Sequence, residues 1–151
     1  MDYVGLLDTW LKLIAAIVLG GLLGWERQSG GKAAGVRTHI LVSLGAASFT
    51  IVSSYLTTIG APSSSGDPSR VVQGVITGIG FLGAGVIIHE RGGVRGLTTA
   101  ASIWIAGALG AACGAGAFWL AALTTVHALL ILRVVKVQSR GSPQVHEHRP
   151  E

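Results

Sequence analysis

From Gly96 to Leu132 the sequence contains no Asp, Glu, Lys or Arg. As one helix that stretch would be roughly 55 Å long, against a hydrocarbon core of about 30 Å. It must therefore fold back on itself. The reversal is expected at Gly114-Ala115-Gly116, because glycine permits the backbone angles of a tight turn. Two spans result, near Thr98–Cys113 and Ala117–Val135. Three more apolar segments precede them, at about Leu6–Trp25, Thr38–Ile59 and Val71–Ile88. Backbone amides in lipid need partners within their own segment, so segments of this length should be helices. Only 12% of the residues are charged, about half the share typical of a soluble domain. The expected fold is all-α: an integral membrane bundle of about five transmembrane helices over residues 1–137, followed by a disordered cytoplasmic tail at 138–151. Four spans with a partly re-entrant last stretch is the alternative.

Five spans distribute the basic residues unevenly. Arg27, Lys32, Arg37, Arg91, Arg95, Arg133, Lys136, Arg140 and Arg149 fall on one side, and Lys12 and Arg70 on the other. The positive-inside rule then puts the N-terminus outside and the C-terminus in the cytoplasm. The first segment reads as a retained span rather than a cleaved signal, since Asp2 and Asp8 stand at its beginning and no basic n-region precedes it. Asp8 and Lys12 are four apart on one helical face and should pair. The formal charge of +4 is scattered between apolar segments instead of gathered on one face, so nucleic acid is not an expected partner. The single cysteine, Cys113, reads as a buried thiol. His146 and His148 lie in the tail and read as solvated.

Small residues recur at four-residue spacing: Gly20 and Gly24; Gly74 and Gly78; Gly80 and Ala84; Ser102, Ala106, Gly110 and Gly114. Such rows let helices approach closely in lipid. Together with Gly83 and Gly85 these glycines are expected to pack helix against helix, or to form a homodimer seam. Leucine at Gly78 or Gly83 is expected to cost about 1–3 kcal/mol by overpacking. Gly78-Ile-Gly80-Phe-Leu-Gly83 satisfies GxGxxG, but it lies inside an apolar span with no carboxylate about twenty residues on, so a dinucleotide site is not expected.

The connections carry the polar groups. Trp25-Glu26-Arg27-Gln28 ends the first span, and Gly35-Val36-Arg37-Thr38 opens the second. Asp67-Pro68-Ser69-Arg70 opens the third, with Gln73 one turn later, and Gly93-Val94-Arg95-Gly96-Leu97-Thr98-Thr99 opens the fourth. Asp67 has the form of an N-cap with Pro68 at the first helical position, and Thr98 and Thr99 are expected to cap likewise. Glu26, Arg37 and Arg95 are expected to form an ion-pair network or to line a polar opening. Within the spans Gln73 and His127 are the most polar groups, and His127 reads as a helix-to-helix hydrogen bonder. No carboxylate cluster lies in the spans to dehydrate Mg²⁺; Asp67 and Glu26 are the only metal-contact candidates. No spacing suggests a nucleophile with its base. The chain is expected to be no enzyme and to hold no cofactor, with Mg²⁺ the one conceivable ligand.

Three strings, GWERQSGGKAAGVRTHILVSLGA (Gly24–Ala46), DPSRVVQGVITGIGFLGAGVI (Asp67–Ile87) and VRGLTTAASIWIAGALGAACGAG (Val94–Gly116), resemble the MgtC/SapB family of bacterial inner-membrane proteins. The resemblance implies a multi-pass domain of about five spans with an external N-terminus. It also implies a role in adaptation to low Mg²⁺ and in survival inside macrophages. A partner is implied as well, because the best studied member binds and inhibits the F-type ATP synthase rather than carrying Mg²⁺. Longer members add a cytoplasmic ACT-like domain, which this chain is expected to lack. The motif positions that carry over are Glu26, Arg27, Arg37, Thr38, Asp67, Arg70, Gly80, Gly83, Gly85, Arg95, Thr98, Thr99 and Trp104, with Gln73 beside them. Two functions follow: a regulator that binds another membrane complex, and, as the alternative, a small transporter or channel for Mg²⁺ or another solute.

Overall fold

The computed structural model describes residues 3–58, 68–90 and 93–134. Asp67, Arg91 and the tail lie outside the described residues. Among the described residues the chain forms α1 (Tyr3–Ser29), α2 (Val36–Thr58), α3 (Pro68–Val86), a hairpin of β1 (Ile88–Glu90) and β2 (Gly93–Arg95), α4 (Leu97–Gly114) and α5 (Phe118–Val134). α1 to α4 are long and apolar enough to cross a membrane, and α5 is apolar over 17 residues. The outer surface is hydrocarbon-like, with Trp10, Leu11, Phe49, Phe81, Trp104 and Trp119 all at least half exposed. The molecule is an all-α membrane bundle.

α4 is its central helix: 56% of its apolar window is buried, against 11% for α3 at the periphery. Glycines place it there. A Cβ on Gly110 would overlap the Ser43 carbonyl, and one on Gly114 would lie 2.6 Å from the Ala47 carbonyl, so α4 meets α2 backbone to backbone. α1 meets α2 in the same way: a Cβ on Gly20 would come within 2.8 Å of Ser43 Cβ, and one on Gly24 within 2.7 Å of Val36 Cα. The interior is correspondingly small-chained, with Ala16, Ala47, Ala106, Cys113 and Ala121 fully buried around Leu23, Ile103 and Leu109.

The α4–α5 reversal is a Schellman turn. Gly116 takes φ +78°; its N–H donates to the Cys113 carbonyl at 2.9 Å, and the Ala117 N–H to that of Ala112 at 2.9 Å. α1 ends in the same device. Gly31 has φ +65°, the Lys32 N–H donates to the Arg27 carbonyl and the Gly31 N–H to that of Gln28, both at 3.0 Å. This is the standard use of a left-handed glycine after a helix. Asp8 and Lys12 pair on α1 as their spacing implies.

Two expectations are corrected here, and the connection from α3 to α4 adds a feature of its own. α1 does not stop at Trp25. Its 27 residues make about 40 Å, longer than the hydrocarbon core, so Glu26 and Arg27 ride on a helical extension into the interface. The connection from α3 to α4 is a hairpin, with Ile88 opposite Arg95 and Glu90 opposite Gly93. Finally, Thr98 and Thr99 do not cap α4. The cap position is Gly96, left-handed at φ +89°, with no side-chain cap bond. The hairpin folds back so closely that a Cβ on Gly96 would overlap the Val86 carbonyl. Alanine at Gly96 combines a disfavoured φ with this backbone clash and is expected to cost about 1–3 kcal/mol. Thermal melting in detergent reads it, and a melting point equal to the parent's would mean that the hairpin does not seat against the end of α3.

The glycines of α3 form a separate class. Among the described residues nothing lies within 4 Å of a Cβ on Gly74, Gly78, Gly80 or Gly85, and at Gly83 the nearest atom is Ala100 Cβ at an ordinary 3.7 Å. The expectation that Gly78 wedges between helices of this chain is therefore corrected. The row faces outward, and no helix of the bundle fills it.

Candidate functional site

The close approach of α1 to α2 at Gly20 and Gly24 brings Arg27, one turn further on, against the start of α2 and into the interior. Its side chain is only 4% exposed. Nη1 donates to Glu26 Oε2 at 3.2 Å, and Nε has no hydrogen-bond partner. The first turn of α2 is held from α1 by Gln28, whose Oε1 accepts the Val36 N–H at 3.3 Å. One turn into α2, His39 is fully buried. Its Nδ1 lies 2.9 Å from the Gly35 carbonyl and its Nε2 3.1 Å from Ser102 Oγ on α4. Ser102 Oγ in turn lies 2.8 Å from the Thr99 carbonyl. Ser43, a turn beyond His39, is fully buried with its hydroxyl unpartnered. Arg27, His39, Ser43, Thr99 and Ser102 are thus buried polar groups on α1, α2 and α4, and the His39–Ser102 contact joins α2 to α4.

The hydrogen positions in this cluster are constrained. A carbonyl only accepts, so His39 Nδ1 carries a hydrogen for Gly35. A neutral ring then has Nε2 free to accept from the Ser102 hydroxyl, which must give up the Thr99 carbonyl to donate there. All three contacts are made together only by the doubly protonated ring, so the Ser102 hydroxyl orients according to the charge on His39.

The other motif residues are dispersed. Arg37 and Thr38 are exposed on the first turn of α2, Arg70 and Gln73 are exposed on α3, and Trp104 projects from the outer face of α4. Arg95 pairs with Glu90 across the hairpin at 3.5 Å, both exposed. The expected Glu26–Arg37–Arg95 network is not formed: Glu26 is engaged by Arg27, its own neighbour, and Arg95 by Glu90. His127 is corrected too. It is exposed on α5 with Nδ1 2.7 Å from the Leu123 carbonyl of its own helix, and the histidine that joins two helices is His39. The signal for the cluster was present in the spacing. His39 and Ser43 are four apart, Thr99 and Ser102 three apart, and Ser102 opens the row that continues into Ala106, Gly110 and Gly114. Polar residues in line with a small-residue row share its face, and on α4 that face turns inward.

A model of the MgtC family matches residues 13–140. This chain belongs to the MgtC family. It is 45% identical over 131 residues to Protein MgtC of Brucella abortus (strain 2308), covering 87% of this chain and 52% of the relative. It is 43% identical over 131 residues to the Putative magnesium transporter YhiD of Escherichia coli (strain K12), covering 82% and 59%. It is 47% identical over 116 residues to Protein MgtC of Salmonella typhimurium (strain LT2), covering 77% and 47%. The chain thus spans about half the length of the relatives it matches. No solved structure matches it. As an MgtC-family chain it is a membrane protein, and the buried cluster sits within the part that the family shares.

Proposed function

We propose that this MgtC-family chain is a magnesium-linked, non-catalytic protein of the bacterial inner membrane that acts by binding another integral membrane complex, the F-type ATP synthase being the first candidate. In this reading the N-terminus is outside and the basic connections face the cytoplasm, as the charge distribution favours. The observation that carries the reading is the outward glycine row of α3. Gly74 and Gly78, with Gly45 of α2, line a cavity of about 570 Å³ whose other walls are apolar side chains such as Phe49 and Leu82. In lipid, helices associate where small residues permit backbone approach. A face of this kind left unused by the chain's own helices is suited to an incoming one.

The alternative, a carrier for Mg²⁺, draws support from the name of the Escherichia coli relative. The chemistry of the buried cluster favours it less. Its groups are a guanidinium, an imidazole and hydroxyls, and the neighbouring carboxylate Glu26 is already held by Arg27. A divalent cation there would have to displace a fixed positive charge. Mg²⁺ also sheds its waters reluctantly and prefers carboxylate oxygens.

Crosslinking in native membranes followed by affinity capture tests the reading. The wild-type chain is expected to recover a membrane complex that a Gly78→Leu variant, folded equally well, recovers poorly. Recovery of nothing above background would count against the proposal, and capture of only a second copy of the chain would replace it with a homodimer. Purified protein in liposomes is expected to leave Mg²⁺ flux at the level of empty vesicles; a flux above that level would favour the carrier.

A further inference from the structure

We propose that the groove between α4 and α5 is a binding site for a bilayer-soluble amphiphile whose uncharged head donates a hydrogen bond, as a long-chain phenol or alcohol does. The two helices are closed at their turn, where Cys113 and Ala121 are both fully buried. Along the rest of their length they line a cavity of about 500 Å³, with Leu23 of α1 among its walls. That volume lies within the usual range for small-molecule sites, about 300–1,000 Å³. The decisive feature is the lining: Thr98 and Ser102 from α4, Thr124 and His127 from α5, in otherwise apolar walls.

Polar side chains turned towards hydrocarbon are costly unless they find a partner. On other helix faces many hydroxyls solve this within their own helix, the buried Ser43 excepted: Thr50 donates to the Ala46 carbonyl at 2.9 Å, Thr77 to that of Gln73 at 2.9 Å, and Thr125 to that of Ala121 at 2.8 Å. Among the described residues the hydroxyls of Thr98 and Thr124 make no such bond. His127 narrows the chemistry. Its Nδ1 faces the Leu123 carbonyl at 2.7 Å, and a carbonyl only accepts, so in the neutral ring Nε2 is left as an acceptor. The groove therefore offers one acceptor and two free hydroxyls. A head group bearing an O–H matches it, giving its hydrogen to Nε2 and accepting from a threonine, while its chain lies against Leu23, Ile105 and Leu120. The α2–α3 cavity is the internal comparison. It is of similar size but lined by apolar side chains and glycine, so lipid tails satisfy it with no preference for a head group. The site on α4 and α5 is separate from the glycine face of the preceding section and stands without it.

The test uses the full chain in lipid nanodiscs, photolabelled with a diazirine-bearing dodecylphenol and, separately, with its methyl ether. The phenol is expected to label 98–105 and 120–132 about fivefold more than the ether, the worth of one hydrogen bond. His127→Leu is expected to erase that preference. Ala101→Trp, which fills the groove and leaves every polar group in place, is expected to suppress labelling by both probes there. The preference is a ratio taken within each sample, so differences in folded yield do not enter it. Equal labelling by phenol and ether, a preference that survives His127→Leu, or label spread evenly onto α3 would each overturn the proposal. A photoreactive residue at Ala101 in native membranes supplies the other arm: a low-mass lipid adduct supports the site, and an adduct to a second copy or to another protein overturns it.

Discussion

Replacing Gly110 with valine is expected to remove most folded protein, with a loss at or beyond the upper end of the about 1–3 kcal/mol that overpacking ordinarily costs. A Cβ at Gly110 would overlap the Ser43 carbonyl and come within 2.8 Å of Ser43 Cα. The obstruction is backbone, not the movable end of a side chain, so α2 and α4 would have to separate along their whole contact. Separation uncovers the apolar residues packed between them and leaves His39 and Ser102 without each other. Overlap with a flexible group should be milder. At Gly107 a Cβ would strike the Ile79 side chain, which can change rotamer, so Gly107→Ala is expected to lose less than Gly110→Ala. The matched control is Gly78→Val, where a Cβ meets nothing within 4 Å; its stability should stay within about 0.5 kcal/mol of the parent, the norm for an open surface position. Folded yield by size exclusion and melting in detergent measure all four. If Gly110→Val and Gly78→Val melted alike, the α2–α4 contact described above would be wrong.

These glycines show how far the sequence could be read. The small-residue spacing at Gly20, Gly24, Gly110 and Gly114 reads the same as that at Gly74, Gly78, Gly80 and Gly85. In the fold the first set touches backbone and the second touches nothing among the described residues. Spacing reports which residues share a face of a helix. It does not report whether that face turns inward, because in lipid both faces are apolar and the usual contrast between core and solvent is absent. The five helices and the Gly116 turn were legible because hydropathy and length carry them. The α3–α4 hairpin was not, since three-residue strands leave almost no periodic signal. His39 was passed over for a related reason. It stands three residues into α2, next to Arg37 and Thr38, and reads as part of a wet connection until the length of α1 and the Gly24 contact draw the start of α2 into the bundle. His127, in the middle of an apolar segment, looked the more internal of the two, yet it faces outward.

The buried ion pair yields the other large effect. Glu26→Ala is expected to destabilise the chain by about 3–5 kcal/mol, because it removes the one hydrogen-bonded partner of a guanidinium that is 96% buried and leaves an unpaired charge in a poorly solvated site. The Arg27 Nε is already without a partner. Glu26→Gln keeps an acceptor and loses only the charge, so its effect should be smaller, nearer the about 1.5–3 kcal/mol of a hydrogen bond to a charged group. The diagnostic variant is the double one. Glu26→Leu with Arg27→Met replaces the pair by apolar groups of similar volume, and buried pairs exchanged in this way are often neutral or stabilised. It should therefore recover most of what Glu26→Ala loses, a non-additivity that a pair of independent surface residues would not display. If Glu26→Ala melted with the parent, Arg27 would have to find its counter-charge elsewhere, in a lipid phosphate or in another chain. If the double variant folded well but captured no membrane partner, the buried charge would be serving recognition and not the stability of the bundle.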